Sequence, residues 1–184
     1  MRMPKTLAVL LFLILAAFTA HKLIKTKIAD GITVSLPREF YPMTPEDMAQ
    51  RFPSVRAPLG AYTNEDRLVD FSVNISATKW PDGDIDMAQK FFKTGLYNLY
   101  DKLDMISEGT VVSRKKRFIF FEFDSRLSGD RQKQAFREPV LKYTFIQYLV
   151  KPNRTLVFSF TCPKSQKEEW QAMAREIMKT VRVK

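Results

Sequence analysis

A single cysteine, a single histidine and only six glycines among 184 residues close off several kinds of chemistry at once. With Cys162 alone, no internal disulfide can form, so the chain needs a core large enough to hold itself together. His21 stands near the N-terminus, which leaves the body of the chain without an imidazole for a Ser-His-Asp or Cys-His nucleophilic site. The same scarcity excludes a His/Cys metal site, and no cofactor is implied. Neither a P-loop nor a G-x-G-x-x-G run is present. The sequence therefore points away from an enzyme, and no small-molecule substrate is evident.

What is abundant is apolar mass. Hydrophobic residues make up 45% of the chain and fifteen of them are Phe, the composition of a packed core. Charge is polarised along the chain. Residues 1–29 carry five Lys/Arg and no acids, and residues 30–110 carry eight Lys/Arg against thirteen Asp/Glu. Residues 111–184 carry seventeen against seven, a balance equal to the net charge of the whole chain, +10. Such a basic half suits an anionic lipid surface, a phosphate or an acidic protein, or it serves only as a solvated surface.

Residues 1–20 read as a signal peptide or an N-terminal membrane anchor. Arg2 and Lys5 precede an uncharged run from Thr6 to Ala20, the layout of a secretory leader. Fifteen residues are short for a full bilayer span. The run lacks an A-x-A cleavage triplet, and Lys22, Lys25 and Lys27 follow it, which keeps the anchor reading open. Without a cysteine at the end of the run, a bacterial lipoprotein anchor is excluded. The chain is accordingly expected to act outside the cytoplasm. Residues 21–30 read as a short linker and residues 31–184 as one domain.

Within that domain, Ile32, Val34 and Leu36 alternate toward Pro37, as in a strand. Thr44-Pro45-Glu46-Asp47 marks the start of a short helix, with Thr44 as cap and Pro45 in the first turn. Strands over Leu59–Thr63 and Leu68–Lys79 flank the polar turn Asn64-Glu65-Asp66. The second alternates Val69, Phe71, Val73 and Ile75 with polar partners, predicting one wet face. Asp84–Asp104 reads as a central helix striped by Ala88, Phe91, Phe92, Leu96, Leu99 and Leu103. A second hairpin, Met105–Ser113 with Arg117–Asp124, turns at Arg114–Arg117. Its Phe118-Ile119-Phe120-Phe121 run is apolar on both faces, as a strand covered on both sides would be. A charged loop follows over residues 127–139. A third hairpin pairs Val140–Val150 with Thr155–Cys162, placing Cys162 on the face of Phe158 and Phe160. Ser165-Gln166-Lys167-Glu168 fits a capping box ahead of a helix faced by Trp170, Ala174, Ile177 and Met178. The fold class is α+β: a mainly antiparallel sheet of six to seven strands in hairpins, packed with a central and a C-terminal helix.

Two end segments carry a resemblance. The opening Gly31-Ile32-Thr33-Val34-Ser35-Leu36-Pro37 is followed by the aromatic pair Phe40-Tyr41. The closing strand Leu156–Pro163 leads to a helix bearing Trp170 and to Ile177-Met178-Lys179-Thr180-Val181-Arg182-Val183. Together they resemble the PsbP-like superfamily, and the exported DcrB-type envelope branch fits best. The resemblance implies a PsbP-like sandwich and a non-catalytic accessory or binding role, with no site residue to carry over.

Three sets of residues remain as candidates. Asp82, Asp84 and Asp86 alternate around Gly83, but Lys93 stands where a calcium loop needs its closing Glu, so a helix cap at Asp84 is the simpler reading. Glu122 and Asp124 share one strand face and could form an acid and base in a cleft, or only the polar end of a strand. The candidate binding surface is Arg114, Lys115, Lys116 and Arg117 at a hairpin tip, with Arg126, Arg131, Lys133 and Arg137 in the segment beyond. If the loop folds back toward the tip, eight cations meet in one place. An exported protein seldom meets nucleic acid, so the partner expected is an anionic lipid surface or a protein. Charged hairpin ends that blunt sheet edges are the alternative. A second functional reading is chaperone-like: the two-faced strands would cradle an apolar client helix, and an exposed apolar patch on the sheet would favour it.

Overall fold

The computed structural model describes residues 21–52, 57–78, 80, 84–128, 138–152 and 154–184. The segment read as a leader, residues 1–20, lies outside them. No helix among the described residues is long and apolar enough to cross a membrane.

The segment expected to be a linker is a strand. Leu23–Ala29 (β1) pairs antiparallel with Ile32–Pro37 (β2), with Ile24 and Lys25 opposite Leu36 and Ser35 and a register shift between Lys27 and Ala29. Gly31, at φ +75°, turns the chain between them, a conformation that favours glycine. The last strand, Arg182–Val183 (β10), closes on the other edge of β2 and completes a three-stranded sheet.

A seven-stranded antiparallel sheet forms the main layer, in the order β3-β4-β5-β9-β8-β7-β6. Its strands are β3 (Tyr41–Pro42), β4 (Gly60–Thr63), β5 (Asp70–Ile75), β6 (Lys102–Ser113), β7 (Lys116–Leu127), β8 (Val140–Lys151) and β9 (Arg154–Pro163). All three hairpins expected from the sequence are in place. β5 ends at Ile75, short of the expected Lys79, and Ser72 on its supposed wet face is buried.

Three α-helices are found among the described residues. Helix α1 (Pro45–Arg51) starts as the sequence indicates: Thr44 accepts a hydrogen bond from the Asp47 amide and Pro45 opens the first turn. Helix α2 spans Ile85–Leu99, with Asp84 as N-cap accepting from the Met87 amide at 2.8 Å. It stops before the expected Asp104, because from Lys102 the chain gains a full antiparallel ladder with β7. Leu103 thereby becomes a strand residue opposite Ser125, while Phe91 and Leu99, placed on the buried stripe above, are 48% and 64% exposed. The stripe that packs is Ala88, Phe92 and Leu96. Helix α3 (Lys167–Lys179) lacks the expected capping box. A 3₁₀ turn at Lys164–Gln166 takes Ser165 into the helical run, so Gln166 becomes the cap without a side-chain bond.

Two apolar cores lie on opposite faces of the large sheet. On one face α2 packs on Ile119, Phe121, Phe123 and Tyr148, with the Phe92 and Tyr148 rings stacked 4.3 Å apart. On the other, α3 and the small sheet enclose a larger core around Phe71, Phe158, Phe160, Trp170 and Ile177. The Phe118–Phe121 run therefore feeds both cores, as its double-sided pattern requires. Gly60 sets the approach of the two sheets: a Cβ there would lie 2.7 Å from Ile28 Cγ2.

Candidate functional site

β7 carries polar groups on its α3 face between aromatic ones. Glu122, 1% exposed, accepts hydrogen bonds from Tyr143 Oη (3.0 Å), Gln171 Nε2 (2.6 Å) and both Nε and Nη2 of Arg175 (3.1 and 3.0 Å). Two residues on, Asp124 pairs with Lys164 Nζ (3.1 Å) and Lys167 Nζ (3.0 Å). Burial, then the Glu122 carboxylate, pushes the Tyr143 phenol well above its ordinary range. Burial likewise raises the Cys162 thiol to about 12, which makes it a small core hydrophobe. The pair considered as an acid and base is thus engaged in fixing α3 on the sheet. Glu122 in particular spends its acceptor capacity on four donors. Of the aspartates near α2, Asp84 is the cap, and Asp82 lies outside the described residues. No cluster of His, Cys, Asp and Glu suited to a metal occurs among the described residues.

The basic candidates divide. Arg114 and Lys115 form the turn between β6 and β7, with φ of +50° and +64°, and Ser113 pairs with Lys116 to close it. Two consecutive left-handed residues are the signature of a type I′ turn, which ordinarily takes Asn-Gly. Holding Arg and Lys there costs about 1 kcal/mol or more per residue. No ion pair engages Arg114, Lys115, Lys116 or Arg117 among the described residues. Arg126 is not with them. It lies at the opposite end of β7, facing Lys102 and Leu141, nine residues and roughly 30 Å of strand from Arg117. Arg131, Lys133 and Arg137 lie outside the described residues; the strands that flank them in sequence, at Leu127 and Val140, are paired at that far end. Lys151 and Arg154 lie at the same end of the sheet, since Ile119 pairs with Tyr148 and the β8–β9 turn follows, and Lys151 Nζ donates to the Lys184 carbonyl (3.2 Å). Sequence reading missed these two because neighbouring hairpins meet only through strand order.

Beside the tip opens a groove of about 530 Å³ that the sequence does not announce. Phe118, Phe120 and Phe145 form its floor, Met178 and Arg175 of α3 one wall, and Val111 of β6 the other. Phe120 and Phe145 stack at 5.8 Å, and Phe120 lies over Gly109, where a Cβ would come within 3.4 Å of the ring. Helix α3 covers β8 and β9 and stops short of β6, which leaves this apolar strip open. A second hollow of about 430 Å³, next to the Arg51–Asp70 ion pair, is lined by Ser72, Leu141, Lys142 and Ser159.

A seven-stranded antiparallel sheet, helices on both faces and a small sheet joining the two chain ends make up the PsbP-like sandwich. No protein-family model and no curated protein matches the chain. Solved structures do. The chain is similar to cyanobacterial PsbP (CyanoP) from Synechocystis sp. PCC 6803, with a TM-score of 0.59 and 10% identity, over 91% of this chain and 96% of that one. It is similar to the Ran-binding protein Mog1p of Saccharomyces cerevisiae, with a TM-score of 0.57 and 16% identity, over 89% and 96%. It is also similar to LpqN of Mycobacterium tuberculosis, a protein involved in cell envelope biogenesis, with a TM-score of 0.56 and 12% identity, over 88% and 91%. At these identities the likeness carries the fold alone.

Proposed function

We propose that this chain is a non-catalytic binding domain, exported from the cytoplasm, that takes a segment of a partner protein into the groove between α3 and β6. The observation that carries the proposal is the open groove of about 530 Å³ between α3 and β6, lined by Phe118, Phe120 and Phe145 and flanked by Val111, which is 40% exposed. An apolar strip of the sheet left open by the helices favours the client-binding reading over an accessory domain whose sheet is fully covered. The saturated Glu122 network supports a structural use for the Glu122–Asp124 pair. Similar scaffolds in a Ran-binding protein and in an envelope protein are in keeping with a binding role. Export rests on Arg2, Lys5 and the Thr6–Ala20 run.

The groove is tested in cells by placing a photo-crosslinking residue at Val111 and, separately, at Ile24, which is exposed on β1. Discrete protein adducts from Val111 alone are expected; equal adducts from both, or none from either, would overturn the reading. Export is tested with a C-terminal reporter active only outside the cytoplasm. Deleting residues 1–20 should silence it, and undiminished activity would refute export.

A further inference from the structure

We propose that the partner segment is an acidic, extended peptide that pairs with the free edge of β6 as an eighth strand and drops alternate apolar side chains into the groove. This rests on the groove-binding reading and names its occupant. β6 is the last strand of the sheet and pairs only with β7, so its outer row of amides and carbonyls is unpaired along the described residues. Natural sheets guard such edges with charges, bulges or a covering element. The first half of β6 is guarded in that way. Lys102 pairs with Asp104, Lys93 of α2 reaches Glu108 at 2.6 Å, and a bulge at Ile106 breaks the register.

The second half is not. Gly109-Thr110-Val111-Val112-Ser113 carries no charge, keeps an unbroken register with β7, and exposes Val111 by 40% and Val112 by 64%. β-branched residues on an open, regular edge are a template for strand addition. Side chains of an added strand alternate between faces. Those on the α3 side pass Val111 and Gly109 and meet Phe120 and Phe145 on the groove floor.

Charge decides the sign of the occupant. Arg175 is engaged with Glu122, and Lys179 with Glu176. Arg114, Lys115, Lys116 and Arg117 are unengaged among the described residues and stand at the end of the open edge. The turn keeps two of them in left-handed backbone that asparagine and glycine would occupy at lower cost. Carboxylates on the added strand would find Arg117 and the turn cations at that end of the edge, and a basic strand would be repelled.

The test uses the full chain and three synthetic peptides of about nine residues, alternating Glu with Val, Lys with Val, and Glu with Ser. Binding is read by fluorescence anisotropy and by amide hydrogen exchange. The Glu/Val peptide alone should bind, more weakly as salt rises, and it should slow exchange at residues 109–113. Replacing the tip by Arg114→Asn, Lys115→Gly, Lys116→Gln and Arg117→Gln should weaken that binding about tenfold or more, the combined effect of four exposed pairs. Equal binding of the Lys/Val peptide, or binding without protection at 109–113, would overturn the proposal. So would tip-dependent binding to phosphatidylglycerol vesicles with none to the Glu/Val peptide, or protection of β6 that comes from self-association. If Val111 yields adducts in cells while the Glu/Val peptide does not bind, this occupant falls and the groove reading stands. If Val111 yields none, both fall.

Discussion

The two ends of β7 both carry charged residues and put them to opposite use. Toward its C-terminal end, Glu122 and Asp124 are buried and five side chains of the α3 region and β8, Arg175, Gln171, Lys167, Lys164 and Tyr143, close over them. Toward its N-terminal end, Arg114, Lys115, Lys116 and Arg117 face solvent beside an apolar groove, with no acid brought to them among the described residues. Charge at the first end is spent on fixing a helix. At the second it is left available, at a backbone cost. The sign of the charge differs, and so does whether a second element arrives to pair with the strand's side chains.

Removing the helix that closes the first end should have the largest effect. Trp170 is buried against Phe40, Phe160 and His21, so Trp170→Ala should cost about 3–5 kcal/mol in urea unfolding. An unchanged midpoint would mean that α3 does not hold the closed end together. Next is Glu122→Gln, which keeps the shape but sets an amide among four donors; about 2–3 kcal/mol is expected. Arg175→Met should cost less, about 1 kcal/mol, because its guanidinium is half exposed. Equal losses from the two would show that the pair and not the buried carboxylate dominates.

Cys162 sharpens the same contrast through pH. Its thiol gives up a proton near 9 when unfolded and near about 12 when folded. Between those values the folded chain holds a proton that the unfolded chain has lost, so this contribution is complete below about pH 9 and fades as pH rises toward 12. Urea midpoints at about pH 8 and about pH 10.5 should fall less in Cys162→Ala than in the parent chain, by at most about 1.4 kcal/mol per pH unit. Identical falls would place the thiol in contact with solvent. The smallest effect is at the open end. Arg114→Asn with Lys115→Gly should leave stability unchanged or raise it by up to about 1 kcal/mol in the same assay. A clear loss would mean that these side chains have structural partners and that the two ends are alike.

Local patterns made much of this legible in the sequence. Period-two alternation marked the three hairpins, Thr44-Pro45 marked the start of α1, and the double-sided Phe118–Phe121 run marked a strand between two cores. Cys162 was readable as a core residue from its place beside Phe158 and Phe160. These features depend on near neighbours in the chain, and side-chain periodicity follows directly from backbone geometry. The errors came where a distant partner overrode a local preference. Leu99–Asp104 continues a helical stripe, yet the β7 ladder ends the helix, and β2 recruits residues 23–29 from an expected linker. The candidate site shows the same division. The cations of the tip could be picked out from the sequence, as could the carboxylates of β7. Which of them are neutralised, which lie 30 Å apart along a strand, and where the sheet is left uncovered depend on strand order and on the length of α3. Pairing and burial are decided between elements far apart in the chain, by contacts that no local pattern encodes.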